Sequence, residues 1–526
     1  MNITSRERFS FFSYLQTNYQ TVVFVVYIIL LSIAIAHHEP WMDEAQAWLL
    51  AKDLGVKDLL IKYLRYEGSP GLWHLILMIP AKLGLPYFTI NIVSGIFSSA
   101  GVWLFLRYAP FPPLIKVLYP FSFFVFFQYG VVARSYCLIA PILFLLALTY
   151  DRKNTHPFRF ILLLCLLANV SAHTFLIAGS IAFLHFIDVI KNRKDFDSRL
   201  LKRHLFAIAA FGLVALLVIF IVMTPPDQIY AGSMNWGLDN FIWVTKRMTG
   251  GSLVLNEFGN FYWLSGVLSL GVFIVTVIWL SKNKMSLLYL LPLLLLSILF
   301  AIKYRNWWHQ GVLFLLWIFV LWISYERYRD SPRRPFARTL LGAICFVLAV
   351  QVYWCIDSLA YDLTHNYSAS RTVAKYIKAK RLHKDKIYVS GWRNISILPY
   401  FPKNIFYNHN SGSPLRFWNW SVNNVTSVGA EPPILDTIGC EQPATVIFAS
   451  DHIPGGKRIE LPGYKATAFF RGYLCWKTGV IEPECYLLFT KKTEEEKRAD
   501  MEKSLAEALE KTGYTNNAIS SQKPLR

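Results

Sequence analysis

Apolar blocks of roughly twenty residues, separated by short basic loops, recur along most of this chain and decide what it can fold into. A helix rises about 1.5 Å per residue, so about twenty apolar residues cross a hydrocarbon core about 30 Å thick. Backbone polar groups find no water in that core, and a helix satisfies them within the segment itself. The first block, Thr21 to Ala36, follows Arg6 and Arg8 and has no small-residue cleavage site after it, so it reads as a retained span.

Counting blocks gives about eleven spans: 21–36, 86–106, 113–129, 131–150, 160–171, 174–190, 205–223, 262–280, 286–301, 311–324 and 339–356. The loop Lys191–His204 holds six Lys/Arg against two Asp, and Tyr325–Arg338 carries five Arg. Alternation puts every strongly basic loop on one side, the cytoplasmic side by the positive-inside rule, with the N-terminus beside them. The formal charge of +20 belongs largely to those loops, which argues against nucleic acid as a partner and for the lipid bilayer. Only 16% of residues are charged, against roughly 25% in soluble domains.

Four regions follow: a cytoplasmic N-terminus 1–20, a membrane domain 21–357 with an external loop 37–70, an external soluble domain 358–491, and a charged helical tail 492–526. The external loop is amphipathic, with Ala45, Trp48, Leu49, Leu59, Leu60 and Tyr63 at helical spacing, and predicts helices lying in the interface. Residues 71–83 are apolar but too short to span, and Pro80 interrupts them, so they read as a re-entrant helix. Beyond Asp357 the composition becomes that of a soluble α/β domain, with a helix at 368–381 and strands at Lys386–Val389, Ala444–Ala449 and Tyr486–Thr490. Cys137, Cys165, Cys345 and Cys355 fall within apolar segments as small hydrophobes; Cys440, Cys475 and Cys485 lie in the external domain, where an oxidising compartment allows one disulfide.

Ionisable residues concentrate just outside the first span, in His37-His38-Glu39-Pro40-Trp41-Met42-Asp43-Glu44. A solvated interfacial loop anchored by Trp explains such a run. So does a catalytic site, because a carboxylate sheltered by aromatics can take a proton from an attacking hydroxyl while its neighbour orients it. Glu67 reads as an exposed loop carboxylate or a second acid, and the aromatic run Phe417, Trp418 and Trp420 as an interfacial belt, a small core or a platform for sugar rings.

Three elements resemble those of the GT-C class of membrane glycosyltransferases: Pro40-Trp41-Met42-Asp43-Glu44-Ala45, Gly68-Ser69-Pro70-Gly71-Leu72-Trp73-His74, and Gln128-Tyr129-Gly130-Val131-Val132-Ala133-Arg134-Ser135-Tyr136. The bacterial members of the protein O-mannosyltransferase and lipid A aminoarabinose transferase group are the most similar, over residues 20–325. The resemblance implies a polytopic α-helical fold in the bacterial inner membrane and a polyprenyl-phosphate-linked sugar as donor. It makes Asp43 the catalytic base with Glu44 beside it, and Arg134, Lys303 and Arg305 the cations on the donor phosphate. Arg suits a phosphate through paired N–H donors, and fixed cations stabilise the charge that develops on a leaving phosphate. His74, His173, His309 and Tyr136 are candidates for lining the same cavity.

No cofactor is required on this reading, and a divalent metal is left open. The acceptor, whether glycan, lipid or protein, is left open too, because Gly68-Ser69-Pro70-Gly71 departs from the His-Pro-Pro of relatives. A flippase or transporter for lipid-linked saccharides is the main alternative; it calls for charges or broken helices at mid-membrane, whereas the charges here gather at the external ends. A scaffold that merely presents the external domain leaves the carboxylate pair without a task.

Overall fold

The computed structural model describes residues 5–229, 237–303, 306–328, 334–422, 424, 433–450 and 460–511. Among these, nine helices are long and apolar enough to cross a membrane, beginning with Asn18–His37 and ending with Phe336–Thr364. The remaining two expected spans fall on shorter apolar helices, Pro157–Ala168 and Ser286–Ile302. Pro157 begins the first of these and Asn169 ends it after 12 residues, so it covers about 18 Å. The last long helix, Arg334–Thr364, continues past the expected boundary at Asp357.

Burial sorts the helices into centre and rim. The span Trp307–Tyr328 is 89% buried and forms the middle of the bundle, whereas Ser198–Val222 is only 22% buried and turns Leu213, Leu216 and Leu217 outward. Around the central helix the rings of Phe105, Tyr119, Phe144 and Trp322 pack together, Phe105 and Tyr119 stacked at 3.8 Å. The segment Pro113–Val131 is not one regular helix. Pro120 ends its first turns, and the rest is a π-helical stretch, Phe124–Val131, that stops at an extended Val132. A π turn redirects side chains without leaving the helix, and it sets the Val131–Arg134 turn at the edge of a cavity.

The loop that follows the first span departs from expectation. The helix Met42–Asp53 is not an exposed interfacial helix: all its residues from Glu44 to Ala51 are buried. Its amphipathic pattern is shallow because a second layer covers it, packed from the turn-rich segments Trp392–Tyr400 and 413–420. After the short segments Val56–Asp58 and Leu59–Tyr63 comes a short helix, Leu64–Glu67, ended by Gly68 in the left-handed region, and then Leu72–Lys82, 11 residues and about 16 Å long, as expected too short to span.

The C-terminal region carries a four-stranded mixed sheet in the order β1-β2-β4-β3, from β1 (Ile387–Ser390), β2 (Thr445–Ser450), β3 (Tyr464–Trp476) and β4 (Gly479–Lys491). β1 and β2 are parallel; β4 pairs antiparallel with both β2 and β3, and a lone bridge from Ile387 to Phe406 extends the edge. β3 escaped the sequence reading because Lys465, Thr467, Arg471 and Gly472 break its apolar pattern. A two-residue turn, Lys477–Thr478, joins β3 to β4, and its tip inserts into the helical part. Trp476 meets Phe123 edge-on at 5.1 Å. Lys477 is wholly buried there, donating to the carbonyls of Gly251 and Leu255 and pairing with Glu257 at 3.0 Å. No disulfide joins Cys440, Cys475 and Cys485 among the described residues. The helical tail is present as Glu494–Lys511, while residues 512–526 lie outside the described part of the chain.

Candidate active-site cavity

A cavity of about 650 Å³ opens where the helix Met42–Asp53, the turn 66–69, the turn 133–136 and the residues around Ser171–His173 and Ala301–His309 converge. Asp43, Arg134, Lys303, Tyr136, His173 and His309 all line it. His74 does not: it is buried within Leu72–Lys82 and is not among the lining residues. Arg305 lies outside the described residues.

Asp43 and Glu44 are adjacent in sequence and divergent in space, because successive helical residues point about 100° apart. Asp43 faces the cavity with its carboxylate about one-third exposed and forms an ion pair with Arg134. Glu44 faces the other way and is fully buried. One of its oxygens accepts from the backbone N–H of Ala133 (2.8 Å) and the amide of Asn91 (3.2 Å); the other accepts from the N–H of Trp41 (3.0 Å). The last bond is a capping bond that starts the helix. Glu44 therefore ties the start of that helix to the turn that carries Arg134, and in doing so sets Asp43 opposite the guanidinium.

The guanidinium of Arg134 is itself held by aromatic faces, 5.1 Å from the Trp41 ring and 4.2 Å from the Trp308 ring. Tyr129 donates to the carbonyl of Trp308 at 2.8 Å, which fixes that second ring. Lys303 begins the extended chain after Ser286–Ile302; its ammonium lies 3.4 Å from the Thr224 hydroxyl, and burial lowers its pKa. The His173 and His309 rings lie tilted against each other with centroids 4.0 Å apart, flanked by Phe300 and Tyr136. This side of the cavity is cationic and aromatic.

A contrasting side begins one helical turn beyond Asp43. Gln46 is clamped by the backbone of Trp418, accepting from its N–H at 2.8 Å and donating to its carbonyl at 2.7 Å. The Gln46 amide also donates to Glu67 at 2.6 Å, and the side chain of Trp420 gives Glu67 a second hydrogen bond. Glu67 is thus a sheltered lining residue and not an exposed loop carboxylate; burial pushes its pKa up to about 7. Gln228 and Tyr66 complete this side, joined through the Tyr66 carbonyl at 3.3 Å. Gln46 carries no signal in the sequence beyond its place three residues after Asp43, on the same helix face.

Behind the cavity a buried polar network joins the helical part to the C-terminal region. His38 sits between Asp362 (3.1 Å) and Glu44 (3.5 Å). Burial opposes its charge, but the two carboxylates outweigh burial and push its pKa up to about 10. Glu39 accepts from the backbone N–H of Arg371 and the hydroxyl of Ser370, and burial raises it to about 7. Among the described residues no three His, Cys, Asp or Glu side chains converge as a metal site.

No protein-family model matches this chain, and no curated protein is similar to it in sequence.

Proposed function

We propose that this protein is a membrane glycosyltransferase of the GT-C type, which moves a sugar from a polyprenyl-phosphate donor to an acceptor outside the cytoplasmic membrane. About eleven crossings, a cytoplasmic N-terminus and an external C-terminal region complete this reading, and the bacterial inner membrane is its site. The observation that carries it is the cavity at the ends of the spans, where the one-third-exposed carboxylate of Asp43 adjoins the stacked cation of Arg134, with Lys303 also in the lining.

The chemistry follows from that arrangement. The donor phosphate displaces Asp43 as the partner of Arg134, and Lys303 adds a second positive charge. The acceptor hydroxyl then attacks the anomeric carbon as its bond to the phosphate oxygen breaks. The electron pair leaves on the phosphate, the proton passes to the released Asp43, and the anomeric configuration inverts. No metal is needed for either charge.

The test is transfer of radiolabelled sugar from polyprenyl-phosphate donors to membrane acceptors in proteoliposomes, with wild type and Asp43→Asn compared, each with and without a chelator. Transfer by wild type and not by an equally folded variant supports the reading. Movement of labelled lipid between leaflets without transfer replaces it with a flippase.

A further inference from the structure

The cavity has two chemically different poles, and only one is used by the reaction as just described. Arg134 and Lys303 form the cationic pole, beside the His173–His309 ring pair. Glu67, Gln46, Gln228, Tyr66, Trp73 and Trp420 form a pole of neutral amides, aromatic rings and one carboxyl. Asp43 stands between them, ion-paired to Arg134 on one side and one helical turn from Gln46 on the other. A base that takes a proton from the acceptor must lie where acceptor and donor meet.

Two features fix the Glu67 carboxyl in place. Gln46 cannot rotate its amide, because both of its ends are committed to the Trp418 backbone. Gly68 at φ 63° and Gly71 at φ 106° turn the chain sharply after Glu67, and a Cβ on Gly71 would meet Leu64 at 2.7 Å and Leu60 at 2.8 Å. The turn is therefore built to its glycines.

We infer that Glu67, set by Gln46 and Trp420, is the acceptor-binding group of the cavity, and that the acceptor it takes is a saccharide hydroxyl. The inference rests on the transferase reading above. A carboxyl that keeps its proton near neutral pH both donates and accepts a hydrogen bond, which is what a hydroxyl needs, and it adds no negative charge beside a donor phosphate. An amine acceptor would call for an ionised partner instead. Tyr66 and Trp420 supply rings of the kind that pack on the apolar face of a sugar. The charged and titratable groups around Glu67 are Asp43 with Arg134, Asp227 bonded to Tyr66, Lys303, His173 and His309.

The test is equilibrium binding to the full-length, detergent-purified protein, read by tryptophan fluorescence, with a short-chain polyprenyl monophosphate and neutral trisaccharides of glucose, galactose and mannose as probes. Wild type is expected to bind the phosphate probe and at least one trisaccharide, with trisaccharide affinity falling as pH rises through about 7. Glu67→Ala is expected to lose about tenfold in trisaccharide affinity and nothing for the phosphate, while Glu67→Gln, which still donates and accepts, binds the trisaccharide without the pH dependence. Unchanged trisaccharide binding in Glu67→Ala, or an equal loss for both probes, overturns the inference. If wild type binds the phosphate but no trisaccharide, the inference falls and the transferase reading stands; if it binds neither, that reading falls as well.

Discussion

Asp43 and Arg134 hold each other as an ion pair at the cavity wall, with the guanidinium enclosed by the rings of Trp41 and Trp308. A base that is neutralised before substrate arrives is protected from idle protonation, and a phosphate that captures its partner activates it. On the proposed reaction, binding and activation are thereby coupled through one arginine.

That coupling separates two effects in Asp43→Asn. Transfer is expected to fall by about 10²- to 10⁴-fold, the range for loss of a general base. Binding of a polyprenyl monophosphate is expected to stay equal or tighten, because the phosphate no longer competes with a carboxylate for Arg134. Arg134→Lys should weaken phosphate binding, since an ammonium cannot make the paired, stacked contact of a guanidinium. Measuring rate and affinity on the same preparations checks both.

His38 predicts a pH-dependent stability. Its folded pKa of about 10 lies above the ordinary 6.5, so its charge stabilises the fold fully below about pH 6.5 and ceases to do so as pH rises through about 10. The difference in unfolding temperature between wild type and His38→Leu should be widest below pH 6.5 and narrow steadily towards pH 10. At neutral pH the substitution leaves Glu44 and Asp362 without their shared cation and is expected to cost about 3–5 kcal/mol. A difference that does not change with pH would remove the charge from the explanation.

Lys477 gives a second, independent measure of how the C-terminal region is held. It lies at φ 54° in a two-residue turn, wholly buried, with Glu257 only slightly exposed beside it. Lys477→Met should cost about 3–5 kcal/mol by leaving the buried Glu257 charge without its cation, with only the Gln310 amide still donating to it, and the double change with Glu257→Leu should cost distinctly less than the two single changes added. Denaturant titration in detergent reads both.

The spans were legible because crossing a membrane demands a length and a polarity that no soluble helix needs, so Thr21 to Ala36 or Leu205 to Met223 announces itself. Asp43 and Arg134 were legible as ionisable groups in a boundary motif. Their neighbours were not. Apart from the motif resemblance, nothing in the sequence distinguishes Asp43, which faces the cavity, from Glu44, which caps a helix and anchors the Ala133 turn; the division depends on helical phase and on partners about 90 residues away. Glu67 read as exposed because its shelter comes from Gln46 and Trp420, and Trp420 lies more than 350 residues further on. The burial of Met42–Asp53 has the same origin, a cover supplied by distant turns whose packing leaves no periodic trace.

Asp53 and Arg416 link that cover to the Glu67 side of the cavity. Asp53 ends the helix Met42–Asp53, where a negative charge opposes the helix dipole, and the position is tolerable because Arg416 neutralises it through both side chain and backbone. Arg416 also donates to the Phe401 carbonyl at 2.9 Å, and two residues later Trp418 clamps Gln46. Asp53→Asn should therefore loosen the segment 413–420 without unfolding the bundle. Hydrogen exchange at the amides of Arg416 and Trp418 should quicken, while the amides of the Trp307–Tyr328 span keep their rates. Because Gln46 sets Glu67, trisaccharide binding should weaken about threefold to tenfold, with polyprenyl-phosphate binding unchanged. Faster exchange at Trp418 with full trisaccharide affinity would show that the cover shields the cavity but does not set the carboxyl within it.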